Sequence, residues 1–261
     1  MAEIRFGPGG FGMPIDKGIE YISNLGLSAA EIEFTYGVNM TNETAKKIGE
    51  LAKKHKIALS IHAPYYVNLA SEEKQKIGAS KTRILQSCER GHYLGAKYVV
   101  FHAAFYGKMQ KEECYEQVKK EILEMKEHIK QKKWDAELAP ETTGKASQFG
   151  DLDELLRLAK ETKCHLCIDF AHLKARYNGK IDYKELFDKI KKSGITHIHA
   201  HFSGIEFTAK GERRHLITEE SDLKELLQWI KKSGISATII NESPDPINDS
   251  VKSLKIYQKL N

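Results

Sequence analysis

Eight times along this chain a short apolar run gives way to a longer segment with helical periodicity, and the alternation is never interrupted. The runs are Ile4–Phe6, Ala30–Phe34, Leu59–His62, Tyr98–His102, Ala136–Glu141, Leu166–Asp169, His197–His201 and Ala237–Asn241. Helical segments follow them at Pro14–Leu25, Asn42–His55, Ser71–Leu94, Lys111–Lys132, Leu152–Glu161, Asp182–Lys191, Ser221–Lys232 and Asp245–Leu260. Strict alternation calls for parallel strands joined by right-handed helical crossovers. Eight such units in 261 residues predict an α/β fold, a (β/α)8 barrel occupying residues 1–261 as a single domain. An open doubly wound sheet would instead carry a glycine fingerprint after the first strand. The Gly7-Pro8-Gly9-Gly10 turn has neither dinucleotide nor phosphate-loop spacing. Asn42 reads as a helix N-cap, and Gly26 and Gly95 as helix stops.

The two ends of such a barrel differ: chemistry gathers where the strands end. The third strand ends in His62, the fourth in His102, the fifth in Glu141 and the sixth in Asp169. The seventh carries His199 and His201, and the eighth runs into Glu242. Alternation along each strand sends Leu59, Ile61, Val99, Phe101, Leu166 and Ile168 towards the helices. Ser60, His62, His102 and Asp169 then face the barrel axis. Six adjacent strands therefore aim imidazoles and carboxylates at one mouth. Burying so many ionisable groups without a cation is costly, and the mixture suits zinc or a similar divalent ion. There are more ligands than one ion can use. Two ions bridged by a carboxylate would absorb them, an arrangement suited to displacement at phosphorus.

The other histidines divide by position. His172, three residues after Asp169, would reach sideways to a second ion, and His215, after the seventh strand, approaches the same mouth. His201 has the parity of His199 and competes with it for one ligand role. His165 and His197 begin strands, at the wrong end of the barrel, while His55, His92 and His128 lie in helical segments. The cysteines, Cys88, Cys114, Cys164 and Cys167, read as reduced packing residues; the Cys-x-x-Cys pair runs into a strand instead of opening a helix. No apolar run is long enough to span a bilayer, and an N-terminal apolar leader is not seen, so an intracellular, membrane-free protein is expected. The net charge of +5 permits a phosphate-bearing partner without demanding one.

In this order and on these strands, the residues match a family. His62-x-x-Tyr65, Val100-Phe101-His102, Pro140-Glu-Thr-Thr-Gly144, Ile168-Asp-x-x-His172 and Glu242-Ser-Pro-Asp-Pro246 resemble the signatures of endonuclease IV, the zinc-dependent apurinic/apyrimidinic endonucleases. The likeness covers nearly the whole chain. It implies a barrel with two or three zinc ions, or manganese in their place. It also implies cutting of double-stranded DNA on the 5′ side of an abasic site, leaving a 3′ hydroxyl. By the resemblance, His62 and His102 hold a first ion and Glu141 bridges it to a second. Asp169, His199 and Glu242 complete the second, and His172 and His215 hold a third. Glu141 is the catalytic carboxylate, and the attacking group comes from water. Tyr65 and Tyr66 match positions whose side chains enter the minor groove. A monomer working in the cytoplasm, on a prokaryotic nucleoid, is expected.

Two departures stand out. The family places an Asp two residues before the histidine matched by His215, where this chain has Arg213 with Glu212 beside it. A one-residue shift would let Glu212 take the vacant ligand place. The family's Arg in the loop after the second strand has no counterpart in Thr35-Tyr36-Gly37-Val38-Asn39. The barrel superfamily also includes sugar isomerases and epimerases that use one divalent ion, and these are the rival reading; a non-catalytic, metal-bound DNA-binding barrel is a third.

Overall fold

A computed structural model describes residues 2–260. The strands are β1 (Ile4–Pro8), β2 (Ala29–Glu33), β3 (Ala58–His62), β4 (Tyr98–Phe101), β5 (Glu137–Pro140), β6 (Cys167–Asp169), β7 (His197–Phe202), β8 (Gly204–Thr208), β9 (Gly211–Leu216) and β10 (Ser236–Asn241). The helices are α1 (Ile15–Asn24), α2 (Asn42–Lys54), α3 (Lys74–Leu94), α4 (Lys111–Lys132), α5 (Leu152–Thr162), α6 (Phe170–Arg176), α7 (Tyr183–Lys192), α8 (Glu220–Ser233) and α9 (Pro246–Lys259). β1-β10-β7-β6 and β2-β3-β4-β5 are two runs of parallel strands. Isolated parallel bridges, Gly9 with Glu31 and Glu141 with Cys167, join the runs at both seams and close the barrel. The eight predicted strands are its staves.

Alternation sorts the core as expected. Ile32, Leu59, Ile61, Val99, Phe101, Leu138, Ile168 and Ile239 pack outward against the apolar stripes of the helices. Tyr98, Val100, Ala139 and Cys167 form a separate cluster inside the barrel. Burying a Leu- or Phe-sized side chain is worth roughly 1.5–3 kcal/mol. The outer layer therefore holds the fold together and leaves the upper interior free for polar residues.

Four local features differ from the expectation. The N-cap of α2 is Thr41, whose side chain accepts from the Thr44 N–H at 3.1 Å, and Asn42 is already inside the helix. α3 begins at Lys74, three residues later than Ser71. Between β7 and α8, where a loop is expected, the chain folds into the antiparallel hairpin β8–β9. A short helix, α6, also starts directly on Asp169.

Candidate metal centre

His62 and Asp169 end their strands, His102, Glu141 and Glu242 lie one residue past β4, β5 and β10, and His201 is the last residue but one of β7. His62 at the end of β3 places Nδ1 2.8 Å from the Ala63 carbonyl and Nε2 3.2 Å from Glu141 Oε2. His102, one residue past β4, puts Nε2 3.0 Å from the same oxygen. Glu141 Oε1 faces the other way, 3.2 Å from His201 Nδ1 and 3.3 Å from His172 Nδ1. Glu141 thus offers one oxygen to each side while only 1% exposed, the posture of a carboxylate shared between two sites.

Asp169 has two duties. Its Oδ1 accepts the His172 N–H at 2.8 Å and caps α6. Its Oδ2 is buried without a hydrogen bond, although His172 Nδ1 lies 3.2 Å away. Glu242 Oε1 lies 3.2 Å from His201 Nδ1. Among the described residues, five groups have ligand atoms that are mutually close: Cys167, His199 and His201 deeper in the barrel; Glu31, Glu33 and Glu242; and three that are linked to one another, His62, His102 and Glu141; Glu141, Asp169, His201 and Glu242; and Asp169, His172 and His215. The linked three overlap at Glu141 and Asp169. An unpaired carboxylate oxygen at zero exposure, flanked by imidazoles, fits a cation better than an apolar or neutral guest.

The position that the resemblance gives to His199 is taken by His201. His199 lies one layer deeper, with Nε2 3.0 Å from Glu31 Oε2. The third group meets the altered motif. A β-bulge in the hairpin pairs Glu206 with Arg214 and then Phe207 with Glu212, leaving Arg213 as the extra residue. Parity is thereby restored. Glu212 turns inward with Oε2 3.1 Å from His172 Nε2, while Arg213 turns out to pair with Glu206 at 3.1 Å. The hairpin rests on the loop after β5: a Cβ on Gly144 would lie 2.1 Å from Glu212 Oε2, and one on Gly211, whose φ is +102°, 2.4 Å from the Gly144 carbonyl. Arg176 of α6 fastens that loop by donating from Nη1 to the carbonyls of Lys145 at 2.6 Å and Gln148 at 3.1 Å.

Charge in the mouth is finely set. Burial penalises ionised His62, yet the hydrogen bond to Glu141 and the charge of Glu33 overcome this and push it up to about 10. Burial likewise opposes ionised Glu141, but His102 and His201 hold it well below the usual carboxylate range. Asp169 is raised, first by burial and then by Glu141 and Glu242 despite His172. Glu33 is pushed up to about 8 by burial, with Glu242 and Glu31 adding to it. So dense a set of carboxylates requires positive charge among them, whether protons on imidazole or metal ions.

Sequence reasoning missed Glu31 and Glu33. Both stand on β2 at alternate positions of an otherwise apolar strand, so the parity that marks His62 marks them too. Glu33 lines the mouth, a cleft of about 560 Å³ with His62, His102, His172, His215 and Glu242 on its wall. Tyr65 also lines the cleft, Tyr66 is exposed beside it, and Tyr36 and Phe105 are exposed on neighbouring loops. At the opposite end Tyr98 stacks on His165 with ring centres 4.1 Å apart. Burial depresses His165 to about 3 and His197 to about 4, as suits packing imidazoles.

Residues 19–260 match the family described as the xylose isomerase-like TIM barrel. An uncharacterised protein of Methanocaldococcus jannaschii, MJ0133, is 38% identical over 95% of this chain and 96% of its own length. A probable endonuclease 4 of Mycoplasmopsis synoviae is 28% identical over 77% of this chain and 74% of its own. Among solved structures, endonuclease IV from Thermus thermophilus aligns with a TM-score of 0.73 at 20% identity, covering 98% of both chains. A D-tagatose 3-epimerase-like protein aligns with a TM-score of 0.74 at 22% identity, covering 98% of this chain and 97% of its own. These structural likenesses share the fold.

Proposed function

The chain belongs to the xylose isomerase-like TIM barrel family, and on that premise we propose that it is a multinuclear metal-dependent endonuclease that cuts DNA on the 5′ side of abasic sites. One observation carries the reading: three ligand groups share Glu141 and Asp169, more donors than one ion can use. The probable endonuclease 4 relatives and the matched motifs support the same choice.

His62, His102 and Glu141 would hold one ion; Glu141, Asp169, His201 and Glu242 a second; and Asp169, His172 and His215, with Glu212 beside them, a third. Zinc or manganese bound there would stabilise charge developing on a phosphoryl group and lower the pKa of water. The protein's part is positional. Glu141 spaces two sites by presenting one oxygen to each. The Asp169 cap on α6 fixes His172. The bulged hairpin brings Glu212 and His215 over the cleft. Tyr65, on the wall of the cleft, and Tyr66, exposed beside it in sequence, would enter the minor groove of the bound duplex, as the resemblance implies. The test is incision of a duplex carrying a single abasic site. The expected product is a nick 5′ to the lesion with a 3′ hydroxyl. In Glu141→Gln the neutral amide bridges two cations poorly, and nicking should fall by at least about 100-fold with unchanged circular dichroism. Full activity in that variant removes Glu141 from the reaction.

A sugar isomerase or epimerase is the second reading. Glu141, Asp169, His201 and Glu242 alone suffice for one ion, and Glu33 stands on the wall of the same cleft, placed for proton transfer on a free sugar. Turnover of ketoses without any nicking would establish that class instead.

A further inference from the structure

We propose that Glu31 is the positioning residue that decides which nitrogen of His201 faces the metal centre. The inference rests on the metal-dependent reading above. Glu31 lies on β2, fully buried at zero exposure, and reaches into the barrel interior towards β7. Its Oε2 accepts from Ser60 Oγ at 2.6 Å and meets His199 Nε2 at 3.0 Å. That oxygen is therefore saturated, and the carboxylate cannot rotate without breaking one of the two bonds. Its Oε1 stands 2.9 Å from His201 Nε2. The two face each other as an ion pair, and neither atom has a hydrogen-bond partner among the described residues. Across the ring, His201 Nδ1 is 3.2 Å from Glu141 Oε1 and 3.2 Å from Glu242 Oε1. One ring nitrogen thus belongs to the interior and the other to the mouth. An ionised carboxylate behind Nε2 keeps the proton there and turns the Nδ1 lone pair towards a cation, the role of a carboxylate behind a metal-ligating histidine.

The same geometry explains why an isosteric amide cannot replace it. Oε2 must accept two bonds, so the oxygen of a glutamine at this position would turn to Ser60 and His199. Its NH2 would then face His201 Nε2, donor against donor. The ring answers by moving its proton to Nδ1, and an N–H then points at the cation site.

The experiment titrates the full chain with zinc alone against a chromogenic chelator and records the imidazole ¹H–¹⁵N spectrum of the zinc-loaded protein, with His201 assigned by a His201→Gln variant. Wild type should show His201 protonated at Nε2. Glu31→Gln should move the proton to Nδ1 or lose the His201 metal contact. It should bind one ion about 10- to 100-fold more weakly and retain the ions that do not use His201. Glu31→Asp keeps the charge, should fold, and should leave the proton on Nε2. Glu31→Gln with wild-type zinc affinity and an unchanged His201 signal overturns the assignment, as does a switched tautomer in Glu31→Asp. If wild type takes up no zinc, the metal-dependent reading falls and this inference with it. If wild type takes up zinc and Glu31→Gln matches it, this inference alone falls.

Discussion

At the scale of single residues, two histidines of one strand differ only in depth. His199 and His201 have the same parity and the same inward direction, so one-dimensional alternation cannot choose between them. The choice is made by height along the barrel axis: His201 is level with Glu141, and His199 with Glu31. His201→Gln should therefore release one divalent ion per chain in elemental analysis. His199→Gln should retain the full complement; loss of an ion from that variant instead would restore His199 to the ligand set. Asp249 offers a test of stability away from the mouth. It is buried on α9, where Oδ2 accepts the Thr218 N–H at 2.7 Å and Oδ1 pairs with Lys252 Nζ at 2.6 Å. Burial opposes ionised Asp249, but Lys252 and the Thr218 N–H outweigh it and hold the carboxyl below its ordinary value. A depressed folded-state pKa stabilises the fold above the unfolded value of about 3.9, and the benefit is lost as pH falls through the folded value. Asp249→Asn should cost about 1–3 kcal/mol at pH 7, read from urea unfolding. The gap from wild type should shrink as pH falls below the unfolded value of about 3.9 and through the folded one; a gap that is independent of pH would show that the charge contributes nothing.

Among the elements, the hairpin β8–β9 governs the third ligand group. Its bulge answers the Arg213 departure by making the arginine the extra residue. Glu212 and His215 consequently keep the inward face. Gly144 and Gly211 allow the hairpin to settle on the loop after β5. Gly144→Ala drives a methyl into Glu212 and should loosen one ion by about 10-fold or more while the ions at Glu141 stay bound. Arg213→Ala removes a side chain that points to solvent and should leave the metal count unchanged; a lost ion in that variant would contradict the bulge. Neither the hairpin nor α6 was legible beforehand. Gly204–Leu216 mixes charged and apolar residues without a clean two-residue period. The α6 sequence Phe-Ala-His-Leu-Lys-Ala-Arg is short enough to pass for a turn, and only the Asp169 cap starts it.

For the molecule as a whole, what was readable is what repeats. Eight runs of matched period, with no glycine fingerprint after the first, favour a closed parallel barrel over an open doubly wound sheet, both of which bury the two faces of parallel strands. The convergence of the strand-end side chains was readable for the same reason: His62, His102, Glu141, Asp169 and Glu242 each follow apolar residues whose outward packing fixes their own direction. Glu31 and Glu33 obey that rule too, but the predicted run Ala30–Phe34 places both inside the strand, where a glutamate looks like an edge residue; β2 in fact ends on Glu33. No helix among the described residues is long and apolar enough to cross a membrane. The barrel gathers its imidazoles and carboxylates on one rim, and the number of ions that rim holds decides between the two functions. Anomalous diffraction at the zinc edge from zinc-soaked crystals measures this directly. The expected map has two strong peaks flanking Glu141, one beside His62 and His102 and the other beside His201 and Glu242, with a third between His172 and His215. A single peak within the Glu141, Asp169, His201 and Glu242 group, with none beside His62 and His102, would contradict a multinuclear centre and favour the one-ion sugar chemistry.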